Sequence, residues 1–303
     1  MQSCGANAML QSMPADIRLK LDQTLAQWPQ WNCSPAVSRA PTIVKVLTPG
    51  ISNFSILVES EQRFVVRIDG INPTTHGLCR QTEWRTLDAA YNLGVTPRPC
   101  YFNPELGSLV CDYLAPDNEQ SIQVADIAHL LHGIHRLPAR HYRLNLGNRV
   151  LRYEKTLEQQ GRAIGNSALA HSAAVSGLLP QVGEEPQEPV LCHNDLLHAN
   201  RLYSGGKLWA IDWEYCAMAS PLYDLAVIIN GDELPADLSE TLLQAYLGRA
   251  PHDRERSALY RYGCVYRYLE LLWYLTLENP NLEPSGIDEK MSALTVMLEQ
   301  PIH

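Results

Sequence analysis

Positive charge is scarce in this chain. Its 24 Lys and Arg are outnumbered by 33 Asp and Glu, for a net charge of −9. A nucleic-acid-binding face needs clustered Lys and Arg, so a nucleic-acid partner is disfavoured. An acidic surface weakly suits a cationic small molecule. No apolar stretch approaches the ~18 residues of a membrane span. The N-terminus shows neither a basic start nor a long apolar core, the two marks of a signal peptide. The expectation is a cytoplasmic protein without a membrane partner. The eight cysteines, at 4, 33, 79, 100, 111, 192, 216 and 264, form no Cys-x-x-Cys pair. Most lie in apolar runs, as free buried thiols do, which argues against structural zinc and for a reducing compartment. Phenylalanine is rare: 3 Phe stand against 14 Tyr and 6 Trp, a bias toward aromatics with polar edges, as in pockets and interfaces. No internal repeat is visible.

What is present is ample for a large core. With 303 residues, 46% hydrophobic and 19% charged, the chain reads as a soluble globular protein of two lobes. Residues 15–28 carry Ile17, Leu19, Leu21 and Leu25 at helical spacing. Three short β-branched runs follow, at 44–47, 55–58 and 63–68, and read as an antiparallel meander. Residues 80–93 read as a helix stopped by Gly94 and Pro97. Two further strands are expected near 99–102 and 109–113, with a turn at Gly107. From Val124 the pattern is mostly helical, and 176–189, rich in Gly, Pro and Glu, reads as a surface loop. The expected division is a sheet-containing lobe over 15–113 and a mostly helical lobe over 114–303, with 114–118 as the hinge. The fold class is α+β.

Two short polar blocks carry the chemistry. The first is His193-Asn-Asp195-x-x-x-x-Asn200 and the second is Ile211-Asp212-Trp213-Glu214-Tyr215, each beside an apolar run that reads as a buried strand. This order and spacing is what a kinase uses: one Asp receives the proton of the attacking hydroxyl, while an Asn and a second Asp hold the metal that bridges the nucleotide phosphates. Asp195 is the candidate base, Asn200 and Asp212 the candidate magnesium ligands. If 211–215 is extended, Glu214 shares a side with Asp212 and faces either a second metal or a cationic substrate, and Trp213 points the other way. Arg67, between apolar neighbours in Phe64-Val-Val-Arg-Ile68, suits nucleotide phosphates, with Glu83 as its ion-pair partner. His129, His132 and His135 drift around a helix without an accompanying ligand cluster and are not read as a metal site.

The two blocks, with Pro221-Leu-Tyr-Asp-Leu-Ala226 after them, resemble the aminoglycoside phosphotransferase and choline kinase superfamily, and its bacterial choline/ethanolamine kinases in particular. The resemblance spans roughly residues 40 to 275 and is strong in the two blocks and weak toward the N-terminus. It implies a protein-kinase-like two-lobe fold and an enzyme that uses ATP and Mg2+ to phosphorylate a small-molecule alcohol. It implies that His193 braces the catalytic loop and that Asp224 anchors it, often through the His. Gly50, Ser52 and Asn53 stand in for a glycine-rich phosphate loop, and Asp112 and Tyr113 fall in the adenine-site strand. Choline or ethanolamine is the favoured acceptor, its cation held by Glu214, Tyr215 and an aromatic of the C-terminal helices such as Trp273. Thiamine, or an aminoglycoside or sugar, is the alternative, and a kinase-fold protein without activity the competing class. Pseudokinases usually lack the base or a metal ligand, whereas Asp195, Asn200 and Asp212 are all present. The oligomeric state is not fixed by the sequence.

Overall fold

The computed structural model describes residues 13–49, 52–74, 76–117, 123–182, 188–277 and 284–300. Gly50 lies outside the described residues. The chain divides into two compact units, one drawing on residues 1–120 and 202–214, the other on 121–201 and 215–303. The segment that carries Asp212 and Glu214 thus packs with the first unit, although a lobe boundary after Tyr113 had placed it in the second. No helix among the described residues is long and apolar enough to cross a membrane.

The first unit is built on a sheet of five strands: β1 Thr42–Pro49, β2 Asn53–Glu59, β3 Arg63–Asp69, β4 Pro99–Asn103 and β5 Ser108–Asp112. Their order is β1-β2-β3-β5-β4 and every neighbouring pair is antiparallel. Helix α1 (Ala15–Ala26) lays Ile17 and Leu21 on one face of it, against Ile56, Phe64, Val66, Ile68 and Val110. Strand alternation explains the rest. Phe64, Val66 and Ile68 belong to that core, so Val65 and Arg67 project from the opposite face. Helix α2 (Arg80–Asn92) brings Arg80 and Glu83 in its first turn. A two-stranded hairpin, β6 through β9 being numbered in chain order, completes this unit: β7 (Arg201–Ser204) and β8 (Lys207–Ala210). Its two-residue turn needs positive φ twice, and Gly205 (φ 62°) and Gly206 (φ 73°) supply it, their amides capped by the Asp117 carboxylate at 3.0 and 2.8 Å.

The second unit is helical around one short strand pair, β6 (Val190–Cys192) with β9 (Ala217–Ala219). Its helices are α3 (Val124–His135), α4 (Leu146–Gln160), α5 (Ala163–Leu169), α6 (Ser172–Leu178), α7 (Pro221–Gly231), α8 (Ala236–Leu247), α9 (Asp253–Thr276) and α10 (Pro284–Glu299). The segment expected as a loop from 176 is partly helical, because Val175 of α6 is buried in the core with Leu157 and Leu272. Helix α9 is the spine: Val265, Tyr268, Leu269 and Leu272 pack with Val150 and Leu157 of α4 and with Ile287 and Leu294 of α10.

Helices α7 and α9 approach closely because glycine faces the junction. A Cβ on Gly263 would stand 2.7 Å from the Asn230 amide, and one on Gly231 would stand 2.6 Å from the Tyr266 hydroxyl while overlapping Leu197 of the polar loop. Gly231→Ala should therefore overpack this junction and cost about 1–3 kcal/mol. Urea denaturation checks it: a lowered midpoint at unchanged slope is expected, and a midpoint at or above that of the parent chain would show that Leu197 and Tyr266 yield freely.

Candidate active site

The loop after β6 is held from below by Asp224, which helix α7 presents from a position with no solvent exposure. Ser220 caps that helix through the Leu222 amide, so Asp224 is not needed as a cap. Its carboxylate instead accepts the backbone N–H groups of His193 (2.9 Å) and Asn194 (2.5 Å) and meets His135 Nε2 at 3.0 Å. Burial would raise the Asp224 pKa. The hydrogen bond and charge of His135, with the amide of His193, outweigh that and hold it below the usual carboxylate range. The loop is thus anchored through backbone amides. His135, passed over in the sequence as one of three helix histidines, is part of the brace and also meets the Tyr246 hydroxyl at 2.8 Å.

Asn194 fastens the loop from the side. Its amide donates to Tyr215 O at 3.1 Å, with Cys192 O and Ala217 O at 3.4 Å, which ties the first block to the end of the second. It sits at φ 62°. The loop's far end is fixed by Asp232, which accepts the His198 amide at 2.7 Å and pairs with Arg201. Between these anchors Asp195 is half-buried, and Asn200 donates its amide to both Asp195 O and Asp195 Oδ2 at 2.8 Å. With its N–H groups turned to Asp195, Asn200 keeps its amide oxygen as a hard donor.

The first unit holds the second constellation. Arg67 donates to Glu83 and to Asp212, each at 2.8 Å. Arg80 donates to Asp69 (2.6 Å), Glu83 (2.9 Å) and Glu214 (3.1 Å). Asn53 joins Glu214 at 2.9 Å and lies 3.5 Å from Ser52 Oγ. Four carboxylates share two guanidinium groups, so two negative charges are left uncompensated. Burial pushes Asp212 and Glu214 upward in pKa, in Glu214 with the added push of Asp212, while the arginines pull against it. Glu83 goes the other way: burial would raise it, and Arg67 and Arg80 together hold it low. The Asp212 side chain is 29% exposed whereas those of Asp69, Glu83 and Glu214 are 2–5% exposed, so Asp212 is the member open to a ligand. A magnesium ion, hard and divalent, fits both the excess charge and that oxygen.

Residues 211–215 are not an extended strand. Asp212 is left-handed at φ 60° and 214–215 form a turn. Asp212 and Glu214 still reach the same cluster, and Trp213 still points away, buried with its indole N–H on Thr96 (3.1 Å) and Ala210 O (3.2 Å). The reason is the turn, not strand alternation. The three residues expected at the acceptor's cation each meet protein groups. Glu214 is enclosed and taken by Arg80 and Asn53, and the ring of Tyr215 already lies against the buried Arg149 guanidinium, 5.2 Å from its centroid. Trp273 packs edge-on to Tyr274 at 5.0 Å and against the helical core. At the end of β5, the backbone N–H groups of Asp112 and Tyr113 are donated to Arg98 O and Arg63 O, and the Asp112 carboxylate accepts from Cys100. Sequence reasoning missed Asp69, Arg80, Asn194, Asp232 and Arg149. Only Asn194 carried a local signal, being enclosed by two motif residues.

A family model described as the phosphotransferase enzyme family matches residues 43–260, and the chain belongs to that family. It is a phosphotransferase of the small-molecule kinase kind. Among curated relatives, Protein LicA of Haemophilus influenzae is 26% identical over 243 residues, 75% of this chain and 70% of that one. Among solved structures, a choline/ethanolamine kinase family protein from Mesorhizobium loti superimposes with a TM-score of 0.69 at 22% identity, covering 93% of this chain and 96% of that one. The choline kinase LicA of Streptococcus pneumoniae gives 0.68 at 20% identity, covering 94% and 99%. The fold is the protein-kinase-like α+β fold.

Replacing Asp224 by Asn removes the charge that the loop amides and His135 share, and should cost about 2–3 kcal/mol at pH 7. A depressed carboxylate pKa stabilises the fold above its unfolded value near ~3.9 and loses that contribution as pH falls through the folded value. Urea unfolding of both proteins should show a constant gap from pH 8 to about 5 that narrows below ~4. A gap that is absent at pH 7, or that closes between pH 8 and 6, would remove Asp224 from this role.

Proposed function

We propose that the chain transfers the γ-phosphoryl group of Mg·ATP to the hydroxyl of a small ammonium alcohol, choline or ethanolamine first among them. The observation that carries this reading is the pairing of Asp195 with Asn200 in a loop held at both ends. Asp195 receives the proton of the acceptor hydroxyl. A free alcohol has a pKa far above neutrality, so a fixed carboxylate is needed as the phosphorus–oxygen bond forms. Asn200, by its amide oxygen, and Asp212, by its carboxylate, hold magnesium, which when bound neutralises charge on the phosphates. Arg67 turns its guanidinium toward those phosphates while Glu83 keeps it in place. Ser52 contacts the phosphates with the neighbouring backbone, and Asn53, bonded to Glu214, fixes the cluster behind them. Likeness to proteins described as choline kinases supports an ammonium alcohol, and the net charge of −9 is compatible with a cation. A cytoplasmic setting goes with ATP use and with the free state of the described cysteines.

Incubation with Mg·ATP and choline, ethanolamine, thiamine, an aminosugar or an aminoglycoside, followed by phosphorus NMR, separates the acceptors. Choline or ethanolamine phosphate should form fastest; preferential phosphorylation of a neutral sugar would overturn the ammonium assignment. Asp195→Ala should lower turnover by ~10²-fold or more, the scale of lost general-base catalysis, with Mg·ATP affinity kept. Turnover near that of the parent chain in a folded Asp195→Ala protein would rule the base out.

A further inference from the structure

The acceptor's cation needs a place, and Tyr215 and Glu214 are both engaged. Arg149 on the Tyr215 face is buried to 8% exposure and makes no ion pair among the described residues. A buried guanidinium stacked on a phenol ring does not step aside for a ligand. The cavity of about 780 Å³ in the second unit is lined by Asn145, Met218, Tyr223 and Tyr262, and neither Asp195 nor Asn200 is among its described lining residues.

Helix α9 offers another face. Tyr266, Glu270 and Tyr274 recur at intervals of four, so they stand in one row along the helix. Tyr266 brings this row to the polar loop, because its hydroxyl and Leu197, two residues past Asp195, crowd the same point beside Gly231, and the charge of Asp195 acts on both tyrosines. An ammonium group is already there. Lys290 of α10 sets its Nζ 2.9 Å from Glu270 Oε1 and 5.4 Å from the centre of the Tyr274 ring. One carboxylate and one aromatic face on a cation are the contacts that recognise an alkylammonium ligand.

We propose that Glu270 and Tyr274 form the acceptor's ammonium site and that Lys290 is its built-in occupant, displaced when substrate binds. The inference rests on the ammonium-alcohol reading. Lys290 is suited to leaving, as Arg149 is not. Its side chain is 20% exposed on a flexible four-carbon stem, and a pair so near solvent is weakly held. An acceptor anchored at both ends, hydroxyl at Asp195 and ammonium at Glu270, competes with a lysine that only fills one. Apparent affinity is then reduced by the fraction of time the site is taken, so Lys290 sets a threshold that single-point cations fail to cross.

Two substitutions that break the same ion pair test this because they are expected to act in opposite directions. Lys290→Met vacates the site and should lower KM for choline by about threefold or more, by the occupancy argument, with kcat and KM for ATP unchanged. Glu270→Gln removes the carboxylate and should raise KM for choline by about five- to thirtyfold, the loss of a desolvated cation contact. A salt bridge with only a structural role would move both variants the same way, or move thermal stability and neither KM, and either result overturns the assignment. Tetramethylammonium binding, followed by the fluorescence of Trp273 beside Tyr274, tests the site without turnover. Tighter binding to Lys290→Met than to the parent chain supports the site, and equal binding overturns it. If the parent chain phosphorylates no ammonium alcohol, the functional reading fails by that observation alone. If it phosphorylates choline and the two variants shift together, only the role of Lys290 fails.

Discussion

One carboxylate, that of Asp224, carries the geometry of the polar loop. It is fully enclosed, and it accepts two consecutive backbone amides from the residues just before Asp195. Enclosing a charge is costly unless it is matched, and here the amides and His135 match it. The result is rigidity: Asp195, the base in the chemistry proposed, follows two residues whose backbone amides are fixed. The other anchors depend on this one. Asn194 can span to Tyr215 O only because its own amide is held by Asp224, and Asn200 can grip Asp195 because the intervening chain, tied by His198 to Asp232, turns back on itself.

The first unit solves the opposite problem. Its carboxylates outnumber its guanidiniums, and the excess is kept rather than balanced. Arg80 has no role in the chemistry proposed, yet it touches Asp69, Glu83 and Glu214 and so keeps three acids from repelling one another apart. That frees Arg67 to share itself between Glu83 and Asp212. The cluster is a set of fixed charges, and in the chemistry proposed such an arrangement leaves little to reorganise.

Much of this was legible in the residues, for reasons that differ by element. The strand alternation of Phe64-Val-Val-Arg-Ile68 exposes Arg67 on the face away from the core, and periodicity alone reveals that. The two polar blocks are legible because their spacing is set by a reaction. Arg80, Asp69 and Asp232 were not legible, because each acts on a residue far away in sequence, and no local pattern marks such a partner. The conformation of 211–215 stayed conditional for a related reason: Asp212 adopts a left-handed backbone that its neighbours in the chain do not announce. The aromatic run of the C-terminal helix was likewise ambiguous: Tyr268 is core, bonded to Glu154, while Tyr266 and Tyr274 feel the charge of Asp195.

The left-handed backbone at Asp212 also shapes how this protein can decay over generations. A side chain branched at Cβ is strained there, whereas glycine and asparagine adopt the conformation readily. Both are one nucleotide away from either aspartate codon. The substitutions that most easily remove this carboxylate are therefore the ones that best preserve the backbone, and a lineage that lost it would keep Arg67 paired with Glu83. Inactive descendants of such a protein would be recognised by Asn or Gly at this one position, in an otherwise intact scaffold.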